Sequence, residues 1–125
     1  MMKAIVLIRR RPGVSKAEFQ AHYEEHHVPL AMRYIGPFLV DYRRSYPLEA
    51  FSYADAVDDA EPATGPEFGY DCITELWFAD RAQMDAMLAV LADPSVRDVL
   101  TEDEDRFLDR DTIVFLPCSE TRTLI

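Results

Sequence analysis

All three histidines of the chain fall within six residues, in the string His22-Tyr23-Glu24-Glu25-His26-His27. Imidazole is the side chain whose ordinary pKa lies nearest neutrality, so a histidine beside an apolar hollow can take a proton from a bound molecule and return it. The string also fits H-x-x-E-H, the pattern of inverted zinc peptidases, in which two imidazoles one helical turn apart bind the metal and the glutamate activates water. A catalytic zinc needs a third protein ligand and a cleft besides, and His26 falls in an apolar stripe. The expectation is therefore a hydrogen-bonded core histidine at 26, His22 at the stripe's edge, and no metal. Further along, Tyr42, Arg44 and Tyr46 share one face of an alternating segment. They could line a pocket for an aromatic, anionic ligand, though residue pattern alone favours a half-exposed strand face or a contact between subunits.

The elements that must hold these residues follow from hydrophobic period and turn chemistry. Residues 3–9 form a β-branched run that is apolar on both parities, as in a central strand covered on both faces. Arg10-Arg11-Pro12-Gly13 is a turn, and Ser15-Lys16-Ala17-Glu18 reads as a capping box with Val14 and Phe19 as its hydrophobic staple. The helix starting near Lys16 should stop near Val28, because Pro29 disfavours the α conformation before it. At about 100° per residue Phe19, Tyr23, His26 and Leu30 share a stripe, with His27 about a quarter-turn off at its edge. Residues 39–46 and 70–78 read as strands, and residues 47–69, with three of the eight prolines and two of the four glycines, as a long acidic loop. Asp80 caps a helix carrying Met84, Met87, Leu88 and Leu91 on one face. Asp93-Pro94 ends it and caps another that runs through Val96, Val99, Leu100, Phe107 and Leu108. Met32, Met84 and Met87 read as core filler, and residues 102–105 as a solvated acidic face. Residues 112–116 form the last strand, ended by Pro117.

The order is βαββαβ with a broken second helical region. It predicts a single α+β domain over 1–125, ferredoxin-like, with a four-stranded antiparallel sheet and its helices on one face. The other face of the central strand needs cover as well, which two chains packed sheet to sheet would give, so a homodimer is expected.

Charge narrows the partners. Residues 1–46 hold eight Lys/Arg against four Asp/Glu, and the rest hold five against nineteen, for a net −10. No concentrated basic face suits a phosphate backbone, so nucleic acid is not an expected partner. The apolar run at residues 4–8 is too short for a signal sequence or a membrane span. Cys72 and Cys118 match no zinc or disulfide framework, which suits two reduced thiols in the cytoplasm.

The string Phe19-x-x-x-Tyr23-x-x-x-His27-Val28-Pro29-Leu30-Ala31, following a strand that ends in Arg10-Arg11-Pro12-Gly13-Val14-Ser15, resembles the EthD family of dimeric α+β barrels. Glu75-Leu76-Trp77-Phe78 is similar to that family's third-strand signature, and residues 104–112 to the segment leading into its last strand. The resemblance implies cofactor-free lyase or isomerase chemistry, like that of decarboxylases and dehydratases acting on aromatic polyketides. The substrate would be a small aromatic or lactone-like metabolite. His27 matches the family's histidine and takes the role of candidate acid–base residue, while Tyr23, Glu75 and Trp77 match motif positions.

Connectivity alone points the same way, because the first helix runs antiparallel to its strand and brings His27 toward Leu39, Val40, Glu75 and Trp77. There the helix C-terminus and Glu24 would favour the imidazolium, and burial the neutral ring. The alternative function is a non-catalytic protein that binds a small hydrophobic ligand for an oxidative catabolic or polyketide pathway.

Overall fold

In a computed structural model the described residues are 1–58 and 68–125. Strand β1 (Met2–Ile8) lies between β3 (Cys72–Phe78) and β4 (Val114–Cys118), and β2 (Asp41–Ser45) extends the sheet beyond β3, giving the order β2-β3-β1-β4. Every pairing is antiparallel, with Ile5 opposite Glu75 and Leu116, and Arg44 opposite Thr74. This is the expected α+β arrangement.

Alternation divides the sheet into two faces. Ala4, Ile8, Cys72, Thr74, Leu76 and Phe78 are buried beneath the helices, while Lys3, Ile5, Leu7, Ile73, Glu75 and Trp77 occupy the other face and are half-buried. Pro117 does not end β4, which continues to Cys118 and pairs Pro117 with Ala4. An edge strand has one unpaired side, where the missing N–H of proline costs nothing.

The first helical region departs most from expectation. Helix α1 (Lys16–His22) starts where Ser15 accepts a hydrogen bond from the Glu18 amide, and it does not end before Pro29. It widens into a π turn over Tyr23–His27, marked by the bond from the Val28 amide to the Tyr23 carbonyl, and continues as α2 (Val28–Ile35). The wide turn relieves the clash of the proline ring with the preceding turn, and Pro29 sits in the first turn of α2, where an N–H has no required partner.

The π turn also resets the helix phase. Residues spaced by four advance about 40° per step around an ordinary helix, so a buried row of five would wind halfway round it. An extra residue in one turn takes back most of that drift, and Phe19, Tyr23, His27, Ala31 and Ile35 face the interior together. Phe19, Tyr23, Ala31 and Ile35 are at most 6% exposed. His26, the expected core histidine, is exposed, and so in part is Met32.

Segment 47–69 is not loop throughout, since α3 spans Tyr53–Asp58. The part of the predicted acidic loop at residues 59–67 lies outside the described residues. Asp80 caps α4 (Arg81–Ala92) through the Gln83 amide, and Asp93 caps α5 (Pro94–Glu104) through Ser95. Helix α5 stops at Glu104, short of Phe107 and Leu108. The chain then turns so that Leu108 bridges to Arg10, and Phe107 and Leu108 are buried.

Two apolar clusters fill the space between sheet and helices. One holds Ala31, Ile35, Leu76, Phe78, Met84 and Met87, and the other Ile8, Phe19, Tyr23, Cys72, Phe107 and Leu108. Val6 and Tyr42 touch both, at the seam between them.

Candidate functional site

At that seam the clusters leave a partly open cavity of about 180 Å³. Its walls are mainly aliphatic, from Val6, Leu76, Leu91, Leu100 and Ile113 among others, with the Phe115 ring, and its polar atoms come from His27, Tyr23, Tyr42, Thr74 and Glu104. A dry apolar cavity of about 150 Å³ takes one benzene ring, so this one suits a single ring with a small substituent.

His27 reaches the cavity from the inward row that the π turn creates. Its Nδ1 lies 2.9 Å from Asp103 Oδ2, and His22 Nε2 lies 2.9 Å from Asp103 Oδ1. Burial pushes the Asp103 carboxyl up, but the hydrogen bonds from His27 and His22 outweigh this and hold it below the ordinary aspartate value. An ionised carboxylate only accepts, so each imidazole donates to it. His27 is thereby fixed with its proton on Nδ1, and no group among the described residues bonds its Nε2, which leaves that nitrogen for a ligand in the cavity. Phe107 closes the site from below, with its ring centroid 5.2 Å from that of His27 and 4.5 Å from that of His22.

Beside His27 a chain of hydroxyls also lines the cavity. Tyr23 Oη stands 2.7 Å from Thr74 Oγ1 and 3.1 Å from Tyr42 Oη. Burial raises both phenols, Tyr42 to about 12, so both remain neutral donors. Arg44 and Tyr46 stand outside the cavity. Arg44 makes a bidentate pair with Glu24 at 2.7 and 2.8 Å, and Tyr46 donates to the same carboxylate. With its charge matched there, the guanidinium is not free to hold an anionic ligand, and it braces Tyr42 by stacking 4.6 Å from the ring.

Glu75 and Trp77 are not near His27. Both lie on the other face of the sheet, where Glu75 pairs with Lys3 at 3.1 Å and Trp77 packs under the Lys3 ammonium. The helix antiparallel to β1 does bring its histidine over the sheet, but alternation along β3 turns Cys72, Thr74, Leu76 and Phe78 toward it and the residues between them away. The carboxylates beside His27 come instead from α5. Asp103 and Glu104, expected on a solvated face, follow Val96 and Leu100 at spacings of seven and eight from Val96, which is one stripe of α5. That spacing is the signal that could have found them.

Glu104 lines the cavity, and Arg110 Nε approaches its Oε2 to only 3.4 Å. Burial raises its carboxyl above the ordinary value of 4.5, against the attraction of His27 and Arg110. Below the unfolded value both states hold the proton and folding loses nothing. As pH rises from about 4.5 through the folded value, the unfolded chain ionises first and stability falls. Glu104→Gln should remove this decline. Its melting temperature should exceed that of the wild type at neutral pH, and the difference should vanish below about pH 4 in a pH series of thermal melts.

The EthD domain model matches residues 11–111. Among solved structures, the chain is similar to an EthD family protein from Bacillus halodurans, with 15% identity and a TM-score of 0.60 over 97% of this chain and 100% of that one. It is also similar to a protein from Arabidopsis thaliana, with 14% identity and a TM-score of 0.62 over 100% of both chains. HapK from Hahella chejuensis aligns with 14% identity and a TM-score of 0.57 over 100% of this chain and 97% of that one. At such identities the likeness is one of fold. No curated protein matches the chain.

Proposed function

Because the chain belongs to the EthD family, we propose that it is a cofactor-independent lyase or isomerase for a small aromatic or lactone-like metabolite, with His27 as its acid–base residue. The observation that carries this reading is the His27 ring in the cavity wall, with Nδ1 held by Asp103 and Nε2 free for a ligand. Nε2 would remove a proton from a carbon or oxygen of the bound molecule. The Asp103 carboxylate would stabilise the imidazolium that forms, and the Tyr23 and Tyr42 hydroxyls would donate to negative charge developing on a substrate oxygen. The volume favours one ring over a fused polyketide.

A second reading is favoured by the aliphatic character of the rest of the wall, namely that the protein binds a hydrophobic metabolite without converting it. In deuterated water, with a panel of enolisable one-ring ketones and unsaturated lactones, the catalytic reading expects enzyme-dependent exchange of hydrogen at carbon, followed by NMR. Compounds that occupy the cavity yet exchange no faster than in buffer would favour the binding reading and defeat the first.

The assembly proposed is a homodimer joined through the outer sheet face. Support comes from Ile5, Leu7, Ile73 and Val114, which are half-buried there, and from Leu116, which is 40% exposed, beside the Lys3–Glu75 and Arg43–Asp41 pairs. Cys72 and Cys118 are free thiols, which supports a cytoplasmic setting. No helix among the described residues is long and apolar enough to cross a membrane.

A further inference from the structure

We infer that the cavity selects an uncharged ligand and that the Glu104 carboxyl is a second catalytic residue, giving a proton to the bound molecule while His27 takes one from another of its atoms. The inference rests on the reading of His27 above and adds to it a second group and a substrate class. No Lys or Arg is among the described residues that line the cavity, whereas Glu104 is. The nearby cations are engaged elsewhere. Arg44 is matched by Glu24, Arg110 lies on the outer side of Glu104, and any positive charge on His27 or His22 faces Asp103. A carboxylate entering this space would set a second acidic group beside the buried Glu104 carboxyl, and the two could share the cavity only if one of them kept a proton. An uncharged ring with a carbonyl or hydroxyl carries no such penalty, and by excluding water it favours the protonated carboxyl that can donate to it.

The proton balance then defines the reaction class. In an isomerisation His27 Nε2 removes hydrogen from one carbon, the double bond shifts, and Glu104 protonates a second carbon or oxygen. In a dehydration the carbon–hydrogen bond breaks toward His27, a carbon–carbon double bond forms, and the departing hydroxyl leaves as water with the Glu104 proton. Either way the protein ends with a His27 imidazolium and a Glu104 carboxylate, and one proton passing between them through water restores it. No oxidant is consumed. Loss of carbon dioxide from a carboxylate substrate is disfavoured by the same charge argument, which separates this proposal from a decarboxylase.

Benzamide and benzoate are nearly equal in shape and differ in charge, and both match the cavity in size. Their binding to the wild type and to Glu104→Gln can be followed at about pH 8, where benzoate is fully ionised, by chemical shifts of the His27, Tyr42 and Leu100 signals. Benzamide should bind the wild type about tenfold or more tighter than benzoate. Glu104→Gln should recover most of the benzoate deficit and leave benzamide within about twofold. Equal binding of the two probes, or a benzoate deficit that survives in Glu104→Gln, would overturn the inference while leaving His27 untouched. Should neither probe move the cavity signals, this inference and the ligand-binding reading beneath it would fall together. Glu104→Asp serves as a folded control that keeps the charge and should retain the discrimination.

Discussion

His27→Ala is expected to lower turnover by about 10²- to 10⁴-fold, the usual contribution of one acid–base group, while shifting the melting temperature by no more than about 5 °C. The two effects separate because of how the ring is held. Removing it costs one hydrogen bond and its contact with Phe107, but Asp103 keeps His22 as a partner at 2.9 Å and is not left as an isolated buried charge. Two further variants test the assignment of roles. His22→Ala leaves the His27–Asp103 bond in place and should retain most activity. Asp103→Asn removes the carboxylate that fixes the tautomer and should lose about 10- to 100-fold without unfolding the chain. Turnover of a converted compound and thermal melts of the same preparations check all three. Full activity in His27→Ala, or unfolding as its sole defect, would remove the histidine from the chemistry.

Phe107→Ala should cost about 3–5 kcal/mol, or roughly 10–20 °C in melting temperature for a domain of this size. The ring is 1% exposed and touches Phe19 and Tyr23 as well as His22 and His27, with centroids 4.5–5.8 Å away. It comes from neither a helix nor a strand. It is delivered by the turn after α5, whose amide and carbonyl bonds to Glu104 and Arg11 fix it beneath the first helix. Truncation leaves a void under both imidazoles, so Phe107→Leu, which fills part of it, should recover about half the loss. A thermal or urea melt reads both. A cost below about 1 kcal/mol would mean that the neighbouring rings close over the gap.

The elements were largely legible in the sequence because their signals are local. Ser15, Asp80 and Asp93 each cap the helix expected of them, and the Asp93-Pro94 break stands where the two residues dictate. What was not legible depends on tertiary geometry. Pro29 marks an ordinary α-helix end, but a π turn makes room for it, and the same turn exchanges the places of His26 and His27. A fixed 100° step therefore put the wrong imidazole inside. Tyr23, Tyr42 and His27 meet at the cavity, whereas Arg44 and Tyr46 stand beside it and Glu75 and Trp77 behind the sheet. The acidic run 102–105 reads as solvent-facing by composition, and only its register with Val96 and Leu100 turns Asp103 and Glu104 inward.

The wide turn at Tyr23–His27 has a consequence for matching this chain to its relatives. A homologue whose first helix is of uniform pitch needs one residue fewer there to seat the same side chains, so a correct alignment opens a single-position gap between Phe19 and Ala31. Without that gap, assignments from the wide turn to the end of the helix at Ile35 are transferred to the neighbouring residue, and a relative's solvent-facing histidine would be mistaken for its reactive one.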